Sequence, residues 1–336
     1  MVLAVGASNF LGLAQAGAWN SVTSMGSRVD MPMLAGGLKQ VKPPVFSKQT
    51  RGLVKRFGRY GHSQVEGDIN TEWFAEGYSK LLTAGLARTT VSGTNFNTHT
   101  FGFADATGTL DNPFGLVVWT HQDLKTWRSL SCFAKSYTWT FSDEPFVSFK
   151  TSMIGASRTR EAAVTPSFSS LAPMTGFGDG STVGLIISAV TNAHTYANVL
   201  AKSATITINT GIDLAKAINT AAPVKPMITD KRAITGSWTW NYSSNDALSE
   251  DYLTDWDAGT VLGAISFTLI GDVIPGSSPS TRYTLQINIP SAYITGEDPI
   301  VSGSGAIDQT FGFEGAIATL GGTAPTVVVK SFETLP

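Results

Sequence analysis

Apolar and polar side chains alternate along much of the chain with the period of two that is typical of half-buried β-strands. In the predicted strand of residues 127–141, Tyr137, Trp139 and Phe141 occupy one face, and Ser136, Thr138 and Thr140 occupy the other. Further strands are predicted at residues 65–69, 114–120, 146–153, 204–208, 238–242, 265–269, 283–289, 311–313 and 327–329. The pattern therefore predicts a mainly β protein.

Two stretches have the spacing of a short helix instead. Asn70 and Thr71 offer an N-cap to a helix with apolar residues at helical intervals through 73–82, and Gly85 can end it. Residues 245–256 place apolar side chains four positions apart behind an Asn/Asp cap. We predict one short helix beside each half of the strand pattern.

The pattern divides the chain into two β blocks. Pro, Gly and Ser interrupt the periodicity between them. We predict an N-terminal arm at residues 1–43, a first β domain at 44–157, a linker at 158–182, a second β domain at 183–320 and a C-terminal tail at 321–336.

The two blocks also repeat one motif. Val65-x-Gly67-x-Ile69 resembles Ile234-x-Gly236-x-Trp238, and each motif precedes a predicted helix and then a glycine-led strand. The two glycines lie 169 positions apart, about half of the 336-residue chain. This echo indicates an internal duplication; the alternative is that β-rich chains echo themselves by chance.

Composition supports an all-β protein with large interfaces. Only 14% of the residues are charged, whereas 42% are hydrophobic, and the chain contains 34 glycines. Few charges do not suit long solvated helices, and the cores of protein interfaces are depleted of charge. We therefore expect much of the surface to contact other copies of the chain.

Charge is distributed unevenly. Residues 1–62 contain eight Lys or Arg against one acid, and the remainder contains 15 against 24. A basic segment on an acidic body can join identical subunits head to tail; the alternative is a solvated, partly disordered N-terminus. The overall net charge of −2 gives no basic field that would draw the protein onto nucleic acid.

Motifs for catalysis or metal binding are scarce. Cys132, the single cysteine, lies in a strand-like run and is predicted to be a buried, inert thiol. The four histidines lack metal-ligand spacing and are predicted to be surface or loop residues: His62, His99, His121 and His194. The sequence has no GxSxG, P-loop or GxGxxG motif. We expect no enzyme activity, no cofactor and no metal.

Tryptophans and acids allow two binding hypotheses that the pattern disfavours. Eight tryptophans suggest a sugar-binding face, but Trp139, Trp238 and Trp240 share the apolar register of their strands and are predicted to be core residues. The acids of residues 246–257 lack calcium-loop spacing, so a solvated helix face is predicted instead.

No membrane or secretion signal is predicted. The apolar start of the chain lacks the basic residues of a signal peptide, and no stretch reaches about 18 apolar residues.

In the order of these features, the chain resembles the tail tube (major tail) proteins of long-tailed bacteriophages. Four stretches carry the resemblance: residues 10–20, which end in Trp19-Asn20 where the family usually has Trp-Gly or Tyr-Gly; residues 64–69 followed by 77–86; residues 202–208; and residues 233–237 continuing through Leu253 and 262–269. The resemblance implies a structural virion protein with two tandem tail-tube-type β-sandwich or barrel domains.

The resemblance further implies self-assembly. Inner strands of neighbouring domains would join into a ring, and rings would stack head to tail into a hollow tail. With an internal duplication a ring would be a pseudo-hexameric trimer, and without it a hexamer. DNA would pass through without specific binding, and the other partners would be the tape measure, tail terminator and tail tip proteins. The expected location is the phage tail, assembled in the host cytoplasm.

The charge asymmetry then predicts the contacts between stacked rings. The basic side would supply Lys48, Arg51, Lys55, Arg56 and Arg59, and the acidic side Asp246, Glu250, Asp251, Asp255 and Asp257. The alternative function, from another class, is a glycan-binding β-sandwich adhesin on a virion or cell surface.

Overall fold

The computed structural model of the chain is built almost entirely of antiparallel strands, which confirms the predicted fold class. It describes residues 9–22, 26–46, 58–74, 76–93, 95–103, 113–122, 125–142, 146–168, 174, 184–190, 194–196, 199, 201–217, 220, 222–229, 232–241, 251, 254–259, 261–277, 281–295, 308–315 and 324–332.

Thirteen strands are described in the first half of the chain: β1 (Phe10–Gln15), β2 (Val29–Pro32), β3 (Ala35–Gly36), β4 (Lys39–Val41), β5 (Pro44–Phe46), β6 (Gly58–Tyr60), β7 (Gln64–Glu72), β8 (Ala87–Ser92), β9 (Asn97–Gly102), β10 (Leu116–Gln122), β11 (Lys125–Phe141), β12 (Ser148–Gly155) and β13 (Ser157–Glu161). Twelve are described in the second half: β14 (Gly184–Val190), β15 (Thr195–Tyr196), β16 (Ser203–Asn209), β17 (Ile212–Ala215), β18 (Lys225–Ile228), β19 (Ala233–Asn241), β20 (Val261–Leu262), β21 (Ala264–Val273), β22 (Arg282–Ile289), β23 (Ala292–Ile294), β24 (Asp308–Gly315) and β25 (Thr326–Ser331).

The first predicted helix is much shorter than the sequence indicated. Helix α1 spans only Ser79–Leu82, and the predicted N-cap residues Asn70 and Thr71 lie in β7. Gly77 has a φ of +87°, and a side chain there would overlap Met31, so the chain makes a left-handed turn where the prediction had helix. Of the second predicted helix, residue 251 and residues 254–257 are helical, and the rest lies outside the described residues.

Two strands occur where the sequence predicted only a connection. Strands β8 and β9 form a hairpin, and β9 pairs with β25 near the end of the chain. Both strands are rich in threonine and polar residues, and in this hairpin only His99 and Phe101 are buried. With so few apolar positions, the sequence lacked a readable alternation there.

Strand β11 links two sheets. Its first part pairs with β10 and β13, and its second part pairs with β12 and β16. Between the two parts, Ser131 has a φ of +49°, and its hydroxyl accepts a hydrogen bond from the Asn20 backbone amide at 2.8 Å. We attribute the transfer of β11 from one sheet to the other to this left-handed residue and the adjacent register shift at residues 134–136.

The same order of pairing occurs twice along the chain. In the first unit, the order is β2–β1–β10–β11–β13 in an outer sheet and β4–β7–β12–β11 in a second sheet. In the second unit, it is β15–β14–β21–β22–β25 and β16–β19–β24–β23. The hairpin β8–β9 extends only the second outer sheet.

The repeat extends to individual residues. Gly67 lies beside the backbone of Leu38, and Gly236 lies opposite Ile206. On their other sides, Gly67 pairs with Met153 and Gly236 pairs with Phe313. The two glycine-led motifs seen in the sequence therefore occupy equivalent places in the two units.

The terminal segments belong to this repeated order. Strand β1 lies between β2 and β10, and Phe10, Leu11, Leu13 and Ala14 are fully buried. Strand β1 is therefore folded into the body, whereas β3 and most of β4 are exposed. The predicted division into five segments stays a prediction, although β1–β4, most of β13 and β25 lie outside the two predicted β domains.

We predict that alanine at either repeated glycine destabilises the fold. A Cβ at position 67 would overlap the Gly37 carbonyl oxygen, and a Cβ at position 236 would lie 2.6 Å from the Thr205 carbonyl oxygen. Gly67→Ala and Gly236→Ala should each lower the free energy of unfolding by about 1–3 kcal/mol, the usual cost of overpacking.

The measurement is urea unfolding of each variant. Gly102→Ala serves as the control, because its Cβ would come no nearer than 3.9 Å to the Pro325 carbonyl oxygen. A stability at position 67 or 236 equal to that of the control would contradict the close approach of the strands.

Candidate assembly surfaces

One sheet runs without interruption through both units. It consists of β7, β12, residues 136–141 of β11, β16, β19 and β24, and we call it the wall sheet. Each strand alternates between buried and partly exposed positions, so one face of the sheet packs into the core and the other is polar. The polar face carries Gln64, Glu66, Asp68, Asn70, Glu72, Ser136, Thr138, Thr140, Ser148, Lys150, Ser152, Ser203, Thr205, Thr207, Asn209, Thr235, Ser237, Thr239, Asp308, Thr310 and Glu314.

Hydroxyl groups dominate this polar face. The strand register places Thr138 beside Thr207, with their hydroxyl oxygens 3.1 Å apart, and Thr239 beside Thr310, with theirs 3.0 Å apart. Threonine is a strong strand former, and paired threonines across strands stabilise a sheet. The result is a surface on which short hydroxyl side chains predominate.

The charges on the polar face are few and partly paired. The Lys150 ammonium lies 2.8 Å from an Asp68 carboxylate oxygen, and Lys202, just before β16, lies 2.9 Å from Asp308. The hydrogen bond from Lys150 holds the pKa of Asp68 below its usual value. On these described strands, five acids (Glu66, Asp68, Glu72, Asp308 and Glu314) stand against Lys150, and Lys202 lies just before β16.

The opposite face of the wall sheet forms an aromatic core. Trp238 stacks on Phe311 with ring centroids 4.0 Å apart, and Trp139 packs against Trp73 and Phe149. Trp139, Trp238 and Trp240 are buried, as the sequence predicted, so they do not offer a sugar-binding face. Cys132 is fully buried, and burial raises the pKa of its thiol, which confirms the inert cysteine.

The histidine prediction was wrong at two positions. His99 and His121 are buried strand residues, and each ring lies within hydrogen-bond distance of a threonine hydroxyl: His99 with Thr90 and His121 with Thr126. This burial could not be predicted from the sequence, because both histidines have polar neighbours in the chain. Among the described residues, no group of His, Cys, Asp or Glu is arranged to hold a metal ion.

The acidic helix is joined to the rest of its own subunit. The buried Asp255 carboxylate accepts a 2.7 Å hydrogen bond from the Tyr196 hydroxyl and lies 3.1 Å from His194 Nδ1. Asp251 lies 3.3 Å from the other nitrogen of that ring. Asp255 therefore acts within the chain, whereas Asp257 is exposed; Asp246 and Glu250 lie outside the described residues.

The basic segment is carried by a hairpin. Strands β5 and β6 pair with each other, and Arg59 lies in β6. Lys48, Arg51, Lys55 and Arg56 belong to the connection between the two strands, which lies outside the described residues. The contact between basic and acidic segments of stacked rings stays a prediction.

In the described part of the chain, no helix has the length and apolar character needed to cross a membrane.

We predict that removing the ammonium group of Lys150 raises the pKa of Asp68. In Lys150→Met, that carboxyl should titrate nearer its ordinary value, because the variant lacks the hydrogen bond that favours the charged form. The measurement is a carbon-13 NMR titration of the Asp68 carboxyl.

The sign of the stability effect follows from the direction of the shift. A lowered pKa in the folded state stabilises the protein above the unfolded-state pKa, and this contribution disappears as pH falls through the folded-state pKa. Both side chains are about half exposed, so the effect should not exceed about 1 kcal/mol. Lys202→Met is the control, and an equal Asp68 shift in that variant would contradict the assignment.

Comparison with known proteins identifies the family. Residues 55–315 match the family described as phage tail tube protein, which is a structural component of the phage tail. The match covers most of the chain, including most strands of the wall sheet, both glycine-led strands and both helical segments. No curated protein sequence matches the chain. The resemblance in the sequence is thereby confirmed, and the chain belongs to the phage tail tube protein family.

Proposed function

We propose that this protein polymerises as stacked rings into a hollow phage tail tube through which DNA is delivered. The observation that carries the proposal is the wall sheet, which passes through both units with one apolar and one polar face. A closed ring of such sheets, with the polar faces turned inward, encloses a water-filled channel and leaves no exposed sheet edge. Family membership supports the same function.

The chemistry of the polar face suits passage of DNA. Serine and threonine hydroxyls are neutral, and acids outnumber lysines on these strands. Protein affinity for DNA depends largely on Lys and Arg contacts with phosphates and on the release of counterions. A lumen lined by this face would repel phosphates weakly rather than hold them, so DNA would pass without specific binding.

The repeated strand order supports three chains per ring. Each unit has its own outer sheet and its own part of the wall sheet, so one chain supplies two equivalent positions. Six positions would then require three chains, which gives a trimer with pseudo-sixfold symmetry. Stacking of such rings is heterologous and therefore open-ended.

The surroundings of the protein follow from this function. The tube would be part of the virion tail and would assemble in the host cytoplasm. Its length and its two ends would be set by the tape measure, tail terminator and tail tip proteins. No cofactor, metal or catalytic residue has a role in this proposal.

Electron cryo-microscopy of concentrated protein tests the proposal. We expect hollow tubes, formed alone or with tail-initiation proteins, in which Thr138, Thr207 and Thr239 face the lumen. Compact single particles under both conditions would contradict tube formation. Tubes with these threonines on the outer wall would contradict the assignment of the lumen.

Reversing the basic hairpin should impair stacking. The exchange of Arg51, Lys55, Arg56 and Arg59 for Glu should preserve the fold and reduce tube growth, because ion pairs repeated around a ring set its register and polarity. Each exposed pair is worth only about 0–1 kcal/mol. Because salt screens exposed charges, the effect should be greatest at low salt. Light scattering during assembly measures it.

Two further variants test whether the effect is specific. Reversal of the exposed Lys125 and Arg160 is the control and should leave tube growth unchanged. Making Asp246, Glu250 and Asp257 basic should partly rescue the reversed hairpin. Normal polymerisation of the reversed protein at low salt would show that the basic hairpin has no role in stacking.

A further inference from the structure

The chain contains one complete junction between two wall units. Residues 136–141 of β11 pair with β16, and this pair joins the first unit to the second. Next to it, the hairpin β17–β18 packs over the first unit, where Ile212 and Leu214 bury Phe133 and Ile154. We call this arrangement of a strand and a hairpin the seam.

Strand β16, which forms the seam with β11, has a counterpart in β3 and β4 at one end of the wall sheet. Strand β16 pairs with β19, and β3 and β4 pair with β7 in the equivalent register. Leu38 and Ile206 are the buried residues beside the two repeated glycines. No described strand pairs with the outer edge of β3 and β4.

Burial differs between β16 and its counterpart β3–β4, as expected if β3–β4 lacks the neighbour that β11 provides for β16. In β16, Ala204 and Ile208 are buried on either side of Ile206. The equivalent positions of the first unit, Gly36 and Gln40, are exposed.

The hairpin of the seam also has a counterpart. Hairpin β17–β18 follows β16 and pairs Ile212 with Ile228, whereas hairpin β5–β6 follows β4 and pairs Pro44 with Tyr60. Both members of the second pair lie 168 positions before those of the first. Tyr60 is 80% exposed, so the described part of this hairpin lies open at the edge of its subunit.

Beyond the other end of the wall sheet, β23 is the counterpart of β11 at the seam. Strand β23 pairs with β24 as β11 pairs with β12, and Ala292 pairs with Leu262 as Cys132 pairs with Leu116. In the first unit, β16 pairs with β11 just beyond this point. There the Thr210 amide donates a 2.9 Å hydrogen bond to the Lys135 carbonyl oxygen.

At the receiving end of the second unit, the equivalent residues are uncovered. Thr295 holds the place of Lys135 and is exposed. Tyr293 holds the place of Phe133; it is 55% exposed, whereas Phe133 is fully buried under the hairpin of the seam.

We propose that the seam is repeated between subunits: β3–β4 and the β5–β6 hairpin of one copy dock on the next copy at Ile294 and Thr295, where the chain continues past the pair of β23 with β20. The inference rests on the proposed ring and names the surfaces that close it. The occupant of each edge is a second copy, because the chain already joins the counterparts of these two edges to each other.

The proposal places Lys42 of one copy opposite Thr295 of the next. Lys42 is the counterpart of Thr210, as Thr295 is of Lys135, and both residues are exposed. Residues directly opposite each other on paired strands are close enough for a disulfide. We expect Lys42→Cys with Thr295→Cys, oxidised with diamide after assembly, to give covalent dimers and trimers on non-reducing gels.

Controls separate this contact from chance oxidation. Ser136→Cys with Asn209→Cys, a directly opposite pair at the seam itself, should form an intrachain disulfide. Lys42→Cys with Val91→Cys is the negative control, because Val91 is also exposed (70%) on an open edge, that of β8. It should give no ladder, since the proposed contact does not bring β8 near Lys42. The native Cys132 is buried and should not react.

The outcomes distinguish this inference from the proposed function. If the Lys42/Thr295 variant forms tubes under reducing conditions but gives no covalent oligomer on oxidation, the assignment of edges is wrong and the tube stands. If Val91 cross-links in place of Thr295, β8 is the receiving edge. If reduced protein forms no tubes, wild type included, the proposed function fails first.

A second variant tests the place of Tyr293. Tyr293→Arg should fold normally yet abolish rings, because the side chain would have to be buried under the hairpin of the next copy. Phe332→Arg is the matched control, since Phe332 is 56% exposed outside the seam. Normal assembly of the Tyr293 variant would contradict the docking of the hairpin there.

Discussion

The backbone hydrogen bonds between β11 and β16 are the interaction on which the rest of the structure depends. An unpaired strand edge exposes a row of donors and acceptors, and a protein must cover that edge or use it. This chain covers one pair of edges by joining its two units. Because the units are equivalent, the same solution is available for the edges at its ends.

The bend in β11 makes this junction possible. Its first part completes the outer sheet, and its second part, beyond the left-handed Ser131, enters the wall sheet. In the second unit, the chain likewise passes from the outer sheet to the inner sheet at a break between β22 and β23, where Ser291 is buried. Each unit is therefore a sandwich whose inner layer extends sideways into its neighbour. The apolar faces of both layers meet in one aromatic core, which leaves the polar face of the wall sheet outside the core.

Much of this architecture was predictable from the alternation of side chains. Strands with bulky apolar residues on one face, such as residues 127–141 and 283–289, were predicted because burial on one side imposes a period of two. The hairpin β8–β9 was not, since it buries only two side chains. The first helix was overextended because apolar residues at 73, 78 and 82 matched helical spacing. The sequence pattern could not show that Gly77 has a positive φ and lies beside Met31, which is distant in the sequence.

The candidate surfaces were harder to predict than the fold. The threonines of the polar face were visible as the polar half of each strand, but only the register brings Thr138 beside Thr207 and Thr239 beside Thr310. The duplication was visible in two glycine motifs, whereas the equivalence of the two hairpins was not, because Pro44 and Ile212 share a pairing position and not a residue type.

The central claim is that one chain contributes two equivalent positions to a ring. The most direct measurement is the number of chains per ring, obtained from the mass per length of assembled tubes together with their axial repeat. We expect three chains of 35.5 kDa in each ring. Six chains in each ring would contradict this claim, because each chain would then fill one of the six positions rather than two.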